Sequence, residues 1–218
     1  EKHVISCPCK VIPGSGVNLE THSFEPYPEE TDKLIFSTIG RIMGDKGTDE
    51  LLFAAERIKK KYPLTIFRLI GFFDDDYETK VKKAERGGII EYIEQQRDIH
   101  PWMRDSHAII HPSYHEGMSN VLLEAAATGR PVLASDIPGC REAFDEGISG
   151  LGVRPRDSIA LERTIEKFIQ LSYKEKAAMG MAGRKKVEQE FNRDIVVKNY
   201  LYEIRKLSVE NKEKICAE

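Results

Sequence analysis

Cysteine is scarce: Cys7, Cys9, Cys140 and Cys216 are the only four in 218 residues. Cys7-Pro8-Cys9 is spaced too tightly for an ordinary structural zinc pair, and no second pair lies at a useful distance. Reduced, incidental thiols in a cytosolic protein are expected, with no metal and no cofactor. No run of 18 apolar residues occurs, so no segment reads as a membrane-spanning helix. The opening residues Glu1-Lys2-His3-Val4 have no apolar stretch of the signal-peptide kind. They also lack Met, which points to a fragment or to processing. Neither sign of charge dominates: the net charge is −3. No global attraction to nucleic acid follows, although local basic patches remain open. There is no GxGxxG, no loop ending in Gly-Lys-Ser/Thr, no internal repeat and no low-complexity segment.

What is present is a globular balance, 40% hydrophobic and 32% charged. Residues 2–24 read as irregular, with a turn at Pro13-Gly14-Ser15-Gly16, and 25–32 as an acidic surface connection. A regular alternation then begins. Apolar runs at 34–39, 64–70, 89–93, 108–111, 131–135 and 151–153 read as strands. Helical patterns fall at 48–60, 77–85, 101–104, 119–128 and 141–144. Three helices close the chain at 158–171, 174–191 and 195–206, the second opened by a Ser172/Glu175 capping box. Residues after 208 read as a frayed polar tail. The expected layout is an interdomain-type segment over 1–24, one domain over 25–207 and that tail. Strand and helix in alternation imply an α/β fold, a Rossmann-like parallel sheet with helices on both faces. Such sheets bind ligands at the carboxyl ends of their strands.

Two loops on that rim carry the chemistry. Gly40-Arg41-Ile42-Met43-Gly44-Asp45-Lys46-Gly47 sets two cations beside three glycines where a strand hands over to a helix. Glycines admit a ligand close to the backbone, and the cations can neutralise a pyrophosphate. The plain alternative is a flexible turn with solvated charges. The second loop runs His111-Pro112-Ser113-Tyr114-His115-Glu116-Gly117-Met118-Ser119-Asn120 and leads into Val121-Leu122-Leu123-Glu124. A helix starting near Ser119 or Asn120 would present free N–H groups and a positive dipole end to phosphate. Glu124 lies one turn beyond Asn120, about 6 Å along the axis. That offset suits a ribose whose hydroxyls a carboxylate accepts; a solvated helical carboxylate is the alternative. Glu116 precedes the helix, on the side where a sugar would lie. His111 and His115 have metal-like spacing, but Pro112 breaks any helix between them.

Glu116 and Glu124, with seven residues between them, resemble the paired glutamates of retaining GT-B glycosyltransferases of family four, the glycosyl transferases group 1. The string from Glu116 to Val132 is similar to that family throughout. Gly40-Arg41 and Lys46-Gly47 resemble its donor-phosphate pair, and Ile12 to Asn18 the stretch that opens its C-terminal domain. Ile137 to Glu142 and Ser149-Gly150-Leu151 match its later landmarks, so the resemblance covers about residues 11–207. It implies that Arg41 and Lys46 hold a donor's diphosphate and stabilise it as it leaves. Backbone N–H groups of Gly117, Met118 and Ser119 would meet phosphate or sugar, with Asn120 opening the helix beside them. Glu116 would contact the sugar hydroxyls and Glu124 the ribose. Arg97, Asp98 and Ile99 would lie where the base does. No metal is implied, because the two cations take its place.

The resemblance also implies an incomplete enzyme. The family has two Rossmann-like domains and holds its acceptor mostly on the first, whereas this chain begins where the second begins. The expectation is a donor-binding domain for a nucleoside-diphosphate sugar, UDP-linked by preference, in surface polysaccharide or glycolipid assembly. Its partners would be the missing N-terminal acceptor domain and a lipid-linked acceptor at the inner face of the cell membrane, with no nucleic acid. Ile195, Val196, Val197, Tyr200, Leu201 and Ile204 on the last helix would then be under-buried. The basic stretch 57–61 reads as a solvated helix end or as a lipid contact, and Asp74-Asp75-Asp76 as a polar loop with a helix cap. Rival readings are a sugar-nucleotide epimerase or hydrolase of the same fold, and a non-catalytic nucleotide-binding module.

Overall fold

The computed structural model describes residues 12, 14–74 and 76–215, the last nine of them as backbone only. Cys7, Cys9, Cys216 and Asp75, with residues 2–11 of the irregular segment, lie outside it. The strands are β1 (Leu34–Ile39), β2 (Thr65–Ile70), β3 (Glu91–Ile93), β4 (Ala108–His111), β5 (Val132–Ser135) and β6 (Gly150–Val153). The helices are α1 (Thr48–Lys61), α2 (Tyr77–Arg86), α3 (His100–Arg104), α4 (Asn120–Ala127), α5 (Ser158–Gln170), α6 (Tyr173–Glu190) and α7 (Arg193–Ile215). The sheet order is β3-β2-β1-β4-β5-β6, and every pairing in it is parallel. This is the Rossmann-like α/β sheet that the strand–helix alternation implies. The order reverses between β1 and β4, which opens a crevice at their carboxyl ends.

Both faces of the sheet are covered, so its central strands read as continuous apolar runs rather than alternating ones. On one face Phe36, Phe67 and Ile110 pack with Leu51 and Ile58 of α1 and Leu161, Ile165 and Phe168 of α5. The Phe36 ring stacks on Phe67 at 5.2 Å and meets Phe168 edge-on at 5.9 Å. On the other face Ile39, Ile70, Ile109 and Val132 pack against Leu122, Leu123 and Ala126 of α4 and Val187 of α6. Helix α6 comes close to the turn after α4: a Cβ on Gly180 would stand 2.1 Å from the Gly129 carbonyl oxygen.

One charge is buried whole. Arg130 is fully inaccessible and donates to the carbonyls of Glu25, Pro26, Met103 and Arg104. Those bonds meet the cost of desolvating the guanidinium and tie the segment before β1 to the end of α3. Of the basic stretch in α1, Arg57 and Lys61 bond Glu162 and Glu166 of α5, and Lys60 bonds Glu56.

Helix α7 runs to Ile215. Val196 is buried, while Val197, Tyr200, Leu201 and Ile204 are exposed. Tyr202 is exposed with them.

Candidate functional site

The crevice between β1 and β4 holds a cleft of about 280 Å³ lined by Thr38, Ile39, Gly40, Arg41, Lys46, His111, Glu116, Met118, Ser119, Asn120 and Val121. Gly40 and Arg41 follow β1 directly, and a 3-10 turn (Gly44–Lys46) delivers Lys46 before α1 begins. That turn ends on Gly47, at φ 70°, where a Cβ would sit 2.2 Å from the Pro112 carbonyl oxygen. Only glycine permits the cation loop to press so closely on the loop after β4. The contact is reinforced by Tyr114, whose N–H donates to the Asp45 carbonyl (2.8 Å) and whose hydroxyl donates to Glu50 (2.7 Å).

Lys46 and Glu116 meet across the cleft, Nζ to Oε1 at 2.5 Å. The same oxygen lies 2.9 Å from His111 Nε2, which is also 3.2 Å from the Ser119 hydroxyl. Burial raises the Glu116 pKa, but the bonds from His111 and Lys46 more than offset it and hold it down at about 2. The first glutamate of the pair is therefore a fixed anion, positioned by two groups. Arg41 turns to the other side, its Nη1 3.2 Å from Asp74 Oδ2 with both side chains largely exposed. Cys140 is buried nearby, its thiol pushed up to about 12 by burial and by the Glu116 charge, which keeps it unreactive.

Helix α4 opens on Ser119 with no side-chain cap, so its first turn has no competing oxygen from that residue. One expected donor is already committed: the Ser119 N–H bonds the Gly139 carbonyl at 2.8 Å. Packing of the 137–140 turn against this loop takes that N–H out of the cleft. Asn120 lies at the rim, its Oδ1 accepting from the Ser15 hydroxyl at 3.1 Å. Gly117 is exposed, and a Cβ added there would meet nothing within 4 Å.

Glu124 does not line this cleft. It lies one turn on, with His22 Nε2 3.6 Å from its Oε1. Burial pushes its pKa up to about 7, against the pull of Arg193. Arg97 and Asp98 are exposed in the loop after β3, and Ile99 packs on the core at the start of α3. Asp98 accepts from the His100 N–H at 3.0 Å, and its charge also acts on His22. The expected residues thus fall into two neighbourhoods, a cation–glutamate cleft and the surroundings of Glu124, where Asp98 meets two unexpected residues, His22 and His100.

Residues 20–186 match the family model described as glycosyl transferases group 1. The chain belongs to that family. It is 34% identical over 144 residues to the Vi polysaccharide biosynthesis protein VipC/TviE of Salmonella typhi, spanning 62% of this chain and 25% of that one. It is 26% identical over 204 residues to the N,N'-diacetylbacillosaminyl-diphospho-undecaprenol alpha-1,3-N-acetylgalactosaminyltransferase of Campylobacter jejuni, spanning 88% of this chain and 52% of that one. Among solved structures it shares the fold of Anabaena Alr3699/HepE in complex with UDP-glucose, at a TM-score of 0.75 and 19% identity, over 88% of this chain and 56% of that one. The chain therefore spans about half or less of these proteins. No helix among the described residues is long and apolar enough to cross a membrane.

Within this group 1 domain, sequence reasoning missed three partners. His111, which the sequence offers only as half of a metal-like pair, bonds Glu116 and Ser119. Its place as the last residue of β4, on the ligand rim, was the available signal. Asp74 and His22 carry no such signal, because they meet Arg41 and Glu124 only through the fold.

Proposed function

We propose that this chain is the donor-binding domain of a retaining glycosyltransferase that takes a nucleoside-diphosphate sugar, UDP-linked by preference. The observation that carries this reading is the convergence of Arg41, Lys46, Glu116 and the uncapped start of α4 on one cleft at the sheet's reversal point. That combination suits a diphosphate with a sugar at one end. Lys46 offers a charge already inside the cleft, and Arg41 a second at its mouth. Glu116, ionised and held by His111, accepts hydroxyls of the donor sugar. Glu124 takes the ribose hydroxyls, and the loop of Arg97, Asp98 and Ile99 takes the base.

In the transfer step the bond from the anomeric carbon to the diphosphate oxygen breaks and its electron pair leaves with the phosphate. Lys46 and Arg41 offset that growing charge. The acceptor oxygen bonds the anomeric carbon on the same face, and its proton passes to the departing phosphate. The acceptor is held by a second domain outside this chain, so the isolated domain binds donor without transferring it. The undecaprenol-linked substrate in the Campylobacter relative's name favours a lipid-linked acceptor, which would bring a cytoplasmic protein to the inner membrane face. The role in surface polysaccharide or glycolipid assembly has the same kind of support in the Salmonella relative.

A panel of UDP-, GDP- and ADP-sugars scored by thermal stabilisation tests the reading. UDP-sugars should stabilise the domain while transfer and hydrolysis stay at background. Failure of every nucleotide to shift the transition would overturn it, and turnover of donor without acceptor would replace it by a hydrolase or epimerase.

A further inference from the structure

The roles above leave His22 unused. It lies in the segment before β1, yet it is held firmly against α4. Its N–H donates to the Asn18 carbonyl at 3.0 Å. Its own carbonyl accepts from Arg184 Nη1 at 3.1 Å, and the same nitrogen reaches the Ala127 carbonyl of α4 at 2.7 Å. The His22 backbone is therefore anchored beside the helix that bears Glu124. Its side chain is 13% exposed, and Nε2 faces Glu124 Oε1 at 3.6 Å. Nδ1 is buried without a partner. An orphaned acceptor costs less than an orphaned N–H, which places the ring proton on Nε2, toward the carboxylate. The separation is beyond a hydrogen bond but within reach of a small rotation.

We propose that His22 is a positioning residue for Glu124: its Nε2–H steadies the carboxylate that takes the ribose hydroxyls and couples nucleotide binding to pH. The inference rests on the reading of Glu124 as the ribose contact.

A carboxylate can accept both ribose hydroxyls only when ionised. Burial keeps the Glu124 proton on up to about pH 7, with Arg193, at the start of α7, pulling the other way. His22 is held below its ordinary value by burial and by His100, with Asp98 raising it and Arg193 lowering it. His100 meets the His22 ring edge-on at 6.1 Å and lies 4.0 Å from Glu25 Oε1. Near neutrality His22 is therefore the neutral donor and Glu124 is the group that changes charge. Ribose binding selects the ionised form, so affinity falls as pH drops through the Glu124 transition. Taking away the His22 donor raises that transition further.

The test follows Glu124 in two ways. Carboxyl carbon NMR titrates it in the unliganded protein, and calorimetry measures UDP binding between pH 5.5 and 8.5, limits set roughly either side of the ordinary histidine value. Wild type, His22→Phe and His22→Gln are compared, with thermal midpoints as a folding control. In the wild type, UDP affinity should fall about tenfold per pH unit below the Glu124 transition. His22→Phe should move the carboxyl titration and the UDP profile to higher pH together. His22→Gln, whose amide nitrogen can take the place of Nε2, should keep both near wild type. An unmoved carboxyl titration in His22→Phe, or a loss of UDP affinity equal at every pH, would overturn the inference. Absence of UDP binding by the wild type would instead sink the donor reading, and the carboxyl titration alone would still decide whether His22 acts on Glu124.

Discussion

Lys46 and Arg41 rest on different carboxylates, and that difference predicts different behaviour on substitution. Arg41 pairs with Asp74 at an exposed site, where the pair itself is worth little. Arg41→Ala should leave stability almost unchanged but weaken UDP binding about tenfold or more, since a bond to a charged group contributes about 1.5–3 kcal/mol. Uridine binding should hardly change, because uridine lacks the charge that Arg41 neutralises, and added salt should imitate the substitution. Calorimetry with both ligands checks this, and equal losses for the two would remove the assigned role. Glu124 gives the opposite trade. Its pKa rises from 4.5 to about 7 on folding, so the folded state holds the extra proton between those values. Stability is therefore lost as pH rises through that window. Glu124→Gln should stabilise the protein by up to about 3 kcal/mol at pH 8 and by nothing below pH 4.5, while weakening nucleoside binding. Denaturant melts at the two pH values decide it. Arg41, Lys46 and Glu116 stand out in the sequence because each lies between a strand end and a helix start, and Glu124 because of its spacing from Glu116. Their partners do not: Lys46 and Glu116 are 70 residues apart, and spacing along the chain says nothing of which cation meets which carboxylate.

The strands and the inner helices were legible because burial on both faces leaves uninterrupted apolar runs such as Ala108–His111, stopped by Pro112. The capping box at Ser172 and Glu175 was legible for a local reason, both of its bonds being made within four residues. Elements that depend on distant contacts were read less well. The Ser119 N–H is free by the local pattern of a helix start and is taken up only because the 137–140 turn packs against it. The closest approach of elements on the second face also escaped notice, since Gly180 reads as a weak point in a helix rather than a packing device. Gly180→Ala should cost about 1–3 kcal/mol, because α6 must move off Gly129 to admit the methyl. A lowered urea midpoint with an unchanged slope would bear this out. Wild-type stability in that variant would show that the helices yield without penalty.

At the scale of the molecule, ligand and sheet should stabilise each other. The cleft is walled by loops following β1 on one side and β4 on the other. UDP at a hundred times its dissociation constant should add about 2.7 kcal/mol to the folded state. For a domain of this size that raises the melting point by roughly 5–10 °C. Fluorescence of Trp102, the single tryptophan, and far-ultraviolet circular dichroism should report one coincident transition. A ligand shift seen by one probe alone would mean that the two halves of the sheet unfold separately.

The strand order has a consequence for how the domain is made. β1 is synthesised first but pairs with β2 on one side and with β4 on the other. As the chain leaves the ribosome, β2 and β3 can dock at once, yet the second edge of β1 stays open until Phe36 and Ser37 find Ala108 and Ile109. An apolar strand with an unsatisfied ladder is an invitation to foreign pairing. The nascent domain is thus most exposed to aggregation in the interval before β4 arrives, and the cleft between β1 and β4 comes into being only when that edge is closed.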